Sequence, residues 1–142
     1  MSTITLRPTR PDDTALLFAW RSHPDIYKWS RAQEPPKWTG LLQWGPRVLT
    51  DDRFLSYIAE LDGHPVGVLI LDRGEHPTEV SLAVAPGLHG RGIGRAMLAA
   101  VGAQRRGIIC AEVLPGNIAS HRMFTAAGWR KSLEGWYVRR AA

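Results

Sequence analysis

Val84-Ala85-Pro86-Gly87-Leu88-His89-Gly90-Arg91-Gly92-Ile93-Gly94-Arg95-Ala96-Met97-Leu98 is the stretch from which the fold is read. An apolar run with strand character over residues 78–85 stops at Pro86-Gly87, and closely spaced glycines lead into a helical pattern. Glycine lets consecutive main-chain N–H groups converge and lets an anion come close to the backbone. A helix start adds unpaired donors and the positive end of the dipole. Strand, glycine turn and helix mouth together make an anion site suited to phosphate. Arg91 and Arg95 add charge beside it.

Two familiar phosphate patterns do not fit. A Walker loop ends in Gly-Lys-Ser/Thr, which is missing here. A dinucleotide fingerprint needs Gly-x-Gly-x-x-Gly, whereas this run is Gly90-x-Gly92-x-Gly94. Glu112 does lie at a suitable distance downstream for that fingerprint, but about 50 residues after the loop leave no room for a dinucleotide domain. The bland alternative is a glycine turn that only packs a helix on a sheet.

Outward from the loop, the pattern is one of alternating element types. A first strand is predicted over residues 3–8, with Ile4 and Leu6 apolar. Pro11-Asp12-Asp13 starts a helix, Asp12 being the expected cap, and His23-Pro24 stops it. Residues 25–51 are rich in Trp, Pro and Gly and read as a short helix or two within loops. Strands follow at 54–61, ended by the tight-turn pair Asp62-Gly63, and at 65–71. The run at 78–85 completes a meander. A helix over 93–106 shows an apolar face of Ile93, Met97, Leu98 and Val101, and Gly107 closes it. A buried strand at 108–114, a helix from Asn117 to Gly128 and two strand pieces about a bend at Glu134-Gly135 complete the order. Mixed strands and interspersed helices predict an α/β domain with one central sheet.

Composition sets the outer limits. At 142 residues the chain has the length of one domain, and 44% hydrophobic with 22% charged residues is an ordinary globular balance. No apolar run approaches the roughly 18 residues of a membrane helix, and no signal peptide is visible, so a cytoplasmic protein without membrane attachment is expected. The single cysteine, Cys110, excludes an internal disulfide and a cysteine-based zinc site, and it reads as a small buried hydrophobe. His23, His64, His76 and His121 are scattered without ligand spacing, so no metal is expected. The net charge is +5, and arginine supplies 15 of the 18 basic residues. Arginine's planar fork suits phosphate, in a cofactor or in nucleic acid. The charges are dispersed from Arg7 to Arg140 and no nucleic-acid motif is present, so no nucleic-acid partner is expected.

The segment 84–98 resembles motif A of the GNAT N-acetyltransferase family: Val-x-Pro, then Arg/Gln-x-x-Gly-x-Gly/Ala opening a long helix. Here Val84-x-Pro86 precedes His89-x-x-Gly92-x-Gly94. A second stretch, Asn117, Ser120, Phe124 and Gly128-Trp129, resembles the family's Asn-x-x-Ala/Ser-x-x-x-Tyr-x-x-x-Gly-Phe. The separation of the two and the whole element order match, so the resemblance implies one acetyltransferase domain over residues 1–142. Its fold would be a central mixed, mostly antiparallel sheet flanked by helices. It further implies acetyl transfer from acetyl-coenzyme A to an amine. By position, the cofactor pyrophosphate would lie on the loop of Leu88, His89, Gly90, Arg91, Gly92, Ile93, Gly94 and Arg95. The pantetheine arm would pair with main chain near Leu82 and Val84, and Asn117 would contact the same arm while capping its helix.

Two departures bear on mechanism. His89 stands where the family has Arg or Gln, so phosphate contact falls to the loop amides. Phe124 stands where many members have a tyrosine acid, and phenylalanine has no proton to give. Another group or solvent must then protonate the thiolate; Tyr137 is the fallback. An amine that arrives as ammonium needs a base, and Glu79, at the start of the strand leading to the loop, is the first choice. Ser120 is the second catalytic candidate, as a hydrogen-bond partner of thiol or oxyanion, and the Val84 N–H is the candidate oxyanion donor.

Four of six tryptophans, Trp20, Trp29, Trp38 and Trp44, fall in the N-terminal region that covers the acceptor site in the family. Ala19-Trp20-Arg21-Ser22-His23-Pro24 is similar to a segment of members that acetylate nucleotide-linked amino sugars. Trp20, Arg21 and Trp29 are therefore the candidate acceptor contacts, with Lys28 and Arg31 beside them. The expected partner is a small-molecule amine, an amino sugar nucleotide first, for a monomer or homodimer. Acetylation of a protein N-terminus, amino acid or antibiotic is the alternative within the class, and a non-catalytic acyl-coenzyme A sensor the alternative outside it.

Overall fold

A computed structural model describes residues 3–30, 33–37, 39, 46, 49–74, 77–104 and 107–141. The elements are β1 (Ile4–Pro8), a 3₁₀ turn (Pro11–Asp13), α1 (Thr14–Arg21), α2 (Pro24–Tyr27), β2 (Phe54–Leu61), β3 (His64–Asp72), β4 (Thr78–Val84), α3 (Ile93–Gln104), β5 (Gly107–Glu112), α4 (Ile118–Ala126), β6 (Arg130–Lys131) and β7 (Trp136–Ala141). They form a seven-stranded sheet in the order β1-β2-β3-β4-β5-β7-β6. Every pairing is antiparallel except β4 with β5. This is the mixed, mostly antiparallel α/β architecture anticipated from the sequence.

β3 explains how the layers meet. Its centre, Val66–Leu71, is buried throughout. A strand covered on both faces reads as a continuous apolar run rather than an alternation. Val68 and Ile70 pack with Leu17 and Trp20 of α1, while Leu69 and Leu71 join Met97, Leu98 and Val101 of α3 and Phe124 of α4. The β2–β3 turn uses left-handed Asp62 and Gly63 (φ 52° and 80°), the mirror-type turn expected of an Asp-Gly pair. Register then slips between Ala59 and Glu60 opposite Gly67 and Pro65, so Val66 is bulged and the proline sits where the ladder is interrupted.

Some boundaries differ from expectation. β5 ends at Glu112 rather than at residue 114, because its ladder with β7 ends at the Glu112–Trp136 pair. At the first helix the bound carboxylate is Asp13, not Asp12: Asp13 accepts the Arg10 amide at 2.7 Å and both guanidinium nitrogens of Arg7 at 2.9 Å. Trp38, Trp44, Arg31, His76, Arg105 and Arg106 lie outside the described residues.

Candidate active site

The site begins where two strands part. β4 and β5 pair only at Thr78–Ile109 and Glu79–Cys110. Beyond that, β4 stays on β3 as far as Val84–Gly67 and β5 stays on β7 as far as Glu112–Trp136, so a fork opens between them. The β3 side decides which groups face it. Ala85 N–H donates to the Val66 carbonyl at 2.8 Å. Main-chain groups alternate sides along a strand, so those of Val84, Leu82 and Val80 turn toward the fork. Side chains alternate between faces as well. Val80 belongs to the core under α3 and α4, whereas Ala83 packs against the α1 cluster; Glu79 therefore projects on the α1 face. Its cross-strand neighbours are Asp72 and Cys110. Asp72 is held by Arg53 at 2.7 and 3.0 Å.

Past the fork, β4 runs into the glycine loop. Gly90 and Gly92 adopt left-handed φ of 79° and 77°, and a Cβ at either would meet nothing within 4 Å. Conformation, not crowding, requires glycine at these two positions. Gly94 differs: it is helical, and a Cβ there would run into the sulfur of Met123, so its small size lets α4 pack on the start of α3. The first bond into α3 is Ala96 N–H on the Gly92 carbonyl at 3.1 Å. The amides of Gly92, Ile93, Gly94 and Arg95 thus have no intrahelical acceptor. The first turn carries no acid. With Arg95 at the positive end of the dipole, this mouth is electrostatically complementary to an anion. His89 is exposed, and its ring folds back along the loop so that Nε2 lies 3.0 Å from the Val84 carbonyl.

The opposite wall comes from the β5–α4 turn. Asn117 caps α4, its side chain accepting the Ser120 amide at 3.3 Å. Phe124 is 5% exposed, stacks on Tyr137 at 5.6 Å and meets Trp129 edge-on at 4.9 Å. Tyr137 hydroxyl lies 2.7 Å from His121 Nδ1, whose Nε2 is 3.3 Å from the Leu114 carbonyl. Neither His121 nor Tyr137 lines the cavity, so Tyr137 is placed away from the fork, behind Phe124. The strut it makes with His121 was invisible in the sequence; only the fourfold spacing from Asn117 to His121 on one helix hinted that the histidine faces the turn.

The third wall is the N-terminal arm. Trp20 is 9% exposed and mostly core. Arg21, the last residue of α1, is half-buried, and desolvation draws its pKa below the ordinary guanidinium value; it remains a cation. Trp29 lies under Lys28, with Nζ 5.8 Å from its ring centroid. Its ring comes within 3.8 Å of a Cβ position at Gly116, so the arm touches the β5–α4 turn across the cleft.

These walls enclose one cavity of ≈ 1350 Å³. It is lined by Glu79, Leu82, Val84, Leu88, His89, Gly90, Gly92, Ile93, Gly94, Arg95, Asn117, Ser120, Trp20, Arg21 and Trp29. Of the described residues singled out from the sequence as site candidates, Arg91 and Tyr137 stand outside this lining. Met123, Ile118 and Phe54 also contribute and had carried no signal beyond apolar character. Among the described residues, no group of three His, Cys, Asp or Glu is placed to hold a metal, and no helix is long and apolar enough to cross a membrane.

Comparison with known proteins bears on the same region. The model of the acetyltransferase (GNAT) family matches residues 15–129. No curated protein matches the chain. Among solved structures, AAC(6')-Ib in complex with ribostamycin and coenzyme A is similar with a TM-score of 0.84 and 21% identity, over 97% of this chain and 93% of that one. An acetyltransferase from Thermus thermophilus is 26% identical with a TM-score of 0.83, over 97% of each chain. Spermidine N-acetyltransferase from Vibrio cholerae, in complex with coenzyme A and spermine, is 15% identical with a TM-score of 0.81, over 97% of this chain and 93% of that one. A family match across the forked sheet, the glycine loop and the capped helix leads to one conclusion: the chain belongs to the acetyltransferase (GNAT) family and is an N-acetyltransferase that uses acetyl-coenzyme A as its donor.

Proposed function

We propose that residues 1–142 act as one acetyltransferase domain that acetylates the primary amine of a small molecule by direct attack on the thioester, with Glu79 as the base. One observation carries this reading: the β4–β5 ladder ends at Glu79, so a carboxylate sits at the apex of the fork on the face toward the arm. Glu79 takes a proton from the incoming ammonium, through water. The free amine attacks the carbonyl carbon, and the oxyanion forms beside the Val84 N–H. Collapse breaks the C–S bond, and the attacking nitrogen gives its surplus proton to water as the amide forms. Phe124 has no proton to offer, so solvent protonates the thiolate, a tolerable leaving group with an ordinary thiol pKa of about 8.5. Ser120, in the cavity lining, is assigned as hydrogen-bond partner of the departing sulfur.

For the acceptor, an amino sugar nucleotide is supported by Arg21 and Lys28 on the arm wall, where a diphosphate meets cations, and by the faces of Trp20 and Trp29. A second reading, a polyamine or aminoglycoside such as the compounds bound in two similar structures, is favoured by two carboxylates of the cavity lining, Asp25 on the arm and Glu79 on β4. Thiol release measured over a panel of amino sugar nucleotides, aminoglycosides and polyamines separates the two. Glu79→Gln is expected to lower kcat by roughly 10²–10⁴, with the deficit largest at low pH, where the amine is most protonated. An unchanged pH–rate profile would remove Glu79 as the base. Tight coenzyme A binding without turnover on any amine would favour a sensor.

A further inference from the structure

One of the two positions that depart from the family pattern, His89, has a partner that its sequence neighbourhood does not announce. Its Nε2 lies 3.0 Å from the carbonyl of Val84, five residues back. The register on β3 turns that carbonyl toward the fork. A carbonyl only accepts, so the ring nitrogen facing it carries the proton. In its neutral form the ring has one N–H, and with Nε2–H spent on Val84 that form leaves Nδ1 a lone pair, which repels a phosphate oxygen rather than binding it. The same span is closed a second time by Leu88 N–H on the Ala85 carbonyl at 3.1 Å. Ala85 is in turn anchored through its own amide to Val66 at 2.8 Å. The two bonds fold residues 84–89 into a closed turn between the end of β4 and the glycine amides.

We infer that His89 is a positioning residue: its imidazole ties the glycine loop to the last peptide of β4 and so pre-forms the amide cradle, without itself contacting the anion. The inference rests on the donor-site assignment above. Preorganisation of this kind lowers the ordering cost when a ligand arrives. The consequence is a specific split between binding and chemistry. His89→Ala leaves every proposed anion donor in place but frees the turn, so affinity for coenzyme A falls while the chemical step is spared.

The experiment measures coenzyme A affinity by calorimetry, and kcat and KM for acetyl-coenzyme A, in the wild type, His89→Ala, His89→Gln and His89→Arg, at low and high sodium chloride. His89→Ala is expected to weaken binding by roughly 2- to 12-fold, the range spanned by one neutral hydrogen bond, with kcat within about 2-fold. The ratio to wild type stays constant as salt rises, because a bond between uncharged groups is not screened. Glutamine, whose amide can donate to Val84, recovers part of the loss. Nitrogen NMR of the ring shows the Nε2–H tautomer both free and with coenzyme A bound. A loss that shrinks with salt and is repaired by arginine but not by glutamine, or a ring that gains a proton on Nδ1 when coenzyme A binds, makes His89 an anion ligand and overturns the proposal. Wild-type affinity in His89→Ala overturns it equally. If the wild type fails to bind coenzyme A, the donor-site assignment falls and this inference with it; the other adverse results remove the inference alone.

Discussion

Cys110 faces Glu79 across the last rung of the parallel ladder, 7% exposed, its sulfur 3.8 Å from the Pro77 carbonyl. Burial first, and the Glu79 carboxylate second, push the thiol pKa up. The thiolate is the reactive form, so this sulfur is inert despite lying beside the fork. In the folded protein a disulfide reagent is expected to label Cys110 at least about tenfold more slowly than in denaturant. Cys110→Ala should leave kcat/KM within about 2-fold. Rapid labelling of the native chain would put the thiol inside the cleft. Trp20 and Arg21 show the same dependence on surroundings. Adjacent in sequence and singled out together, both reach the cavity lining, but Trp20 is mostly spent closing the α1 core, whereas Arg21 brings a desolvated cation.

At the level of elements, the fork depends on how tightly β3 and β4 approach. Gly67 sits opposite Val84, and a Cβ there would lie 2.9 Å from the Ala83 carbonyl and 2.8 Å from the sulfur of Met97. Met97 is fully buried and the carbonyl is backbone, so neither yields cheaply. Gly67→Ala is therefore expected to cost about 1–3 kcal/mol, seen as a lower urea midpoint at constant m. Because β4 carries Leu82 and Val84, the same change should raise KM for acetyl-coenzyme A. An unaltered midpoint would mean that the strands have slack at Gly67. Glycines in this chain thus have distinct physical causes: Gly90 and Gly92 supply a left-handed backbone, Gly67 and Gly94 supply closeness.

Over the whole molecule, one ionic cluster joins parts far apart in sequence. Arg7 on β1 holds Asp13 at the head of α1 and, at 3.1 Å, Glu60 on β2. Hydrogen bonds from Arg7 hold the Asp13 carboxyl below the usual aspartate range, against the opposing effect of burial and with help from the Arg10 amide. Its folded pKa is thus below its unfolded value of about 3.9. In that window the unfolded chain binds the extra proton, so stability rises with pH. The contribution is complete above about 3.9 and disappears as pH falls through the lowered folded value. Asp13→Asn is expected to cost about 1.5–3 kcal/mol at neutral pH, with Arg7 keeping Glu60, and to flatten the acid limb of the unfolding midpoint measured against pH. A variant with an undiminished acid limb would show that the cluster is not what the acid transition titrates.

How far each level was legible follows from how local its physics is. The Asp62-Gly63 turn, the apolar run of β3, the cap at Asn117 and the glycine loop could be read directly. Each is set by the conformational preference of a few consecutive residues or by a periodic apolar pattern, and neither depends on distant partners. The unpaired amides at the mouth of α3 were legible for the same reason, since such amides and a dipole belong to any helix start. Contacts between distant segments were not. That β4 leaves β5 just after Glu79, that His89 bonds back to Val84, that Asp13 rather than Asp12 meets Arg7, and that His121 reaches Tyr137 all depend on register and packing between separate elements. Residue type decided what each group can donate or accept; only the tertiary structure decided which partner it meets, because a hydrogen bond forms over about 3 Å of space and is indifferent to separation along the chain.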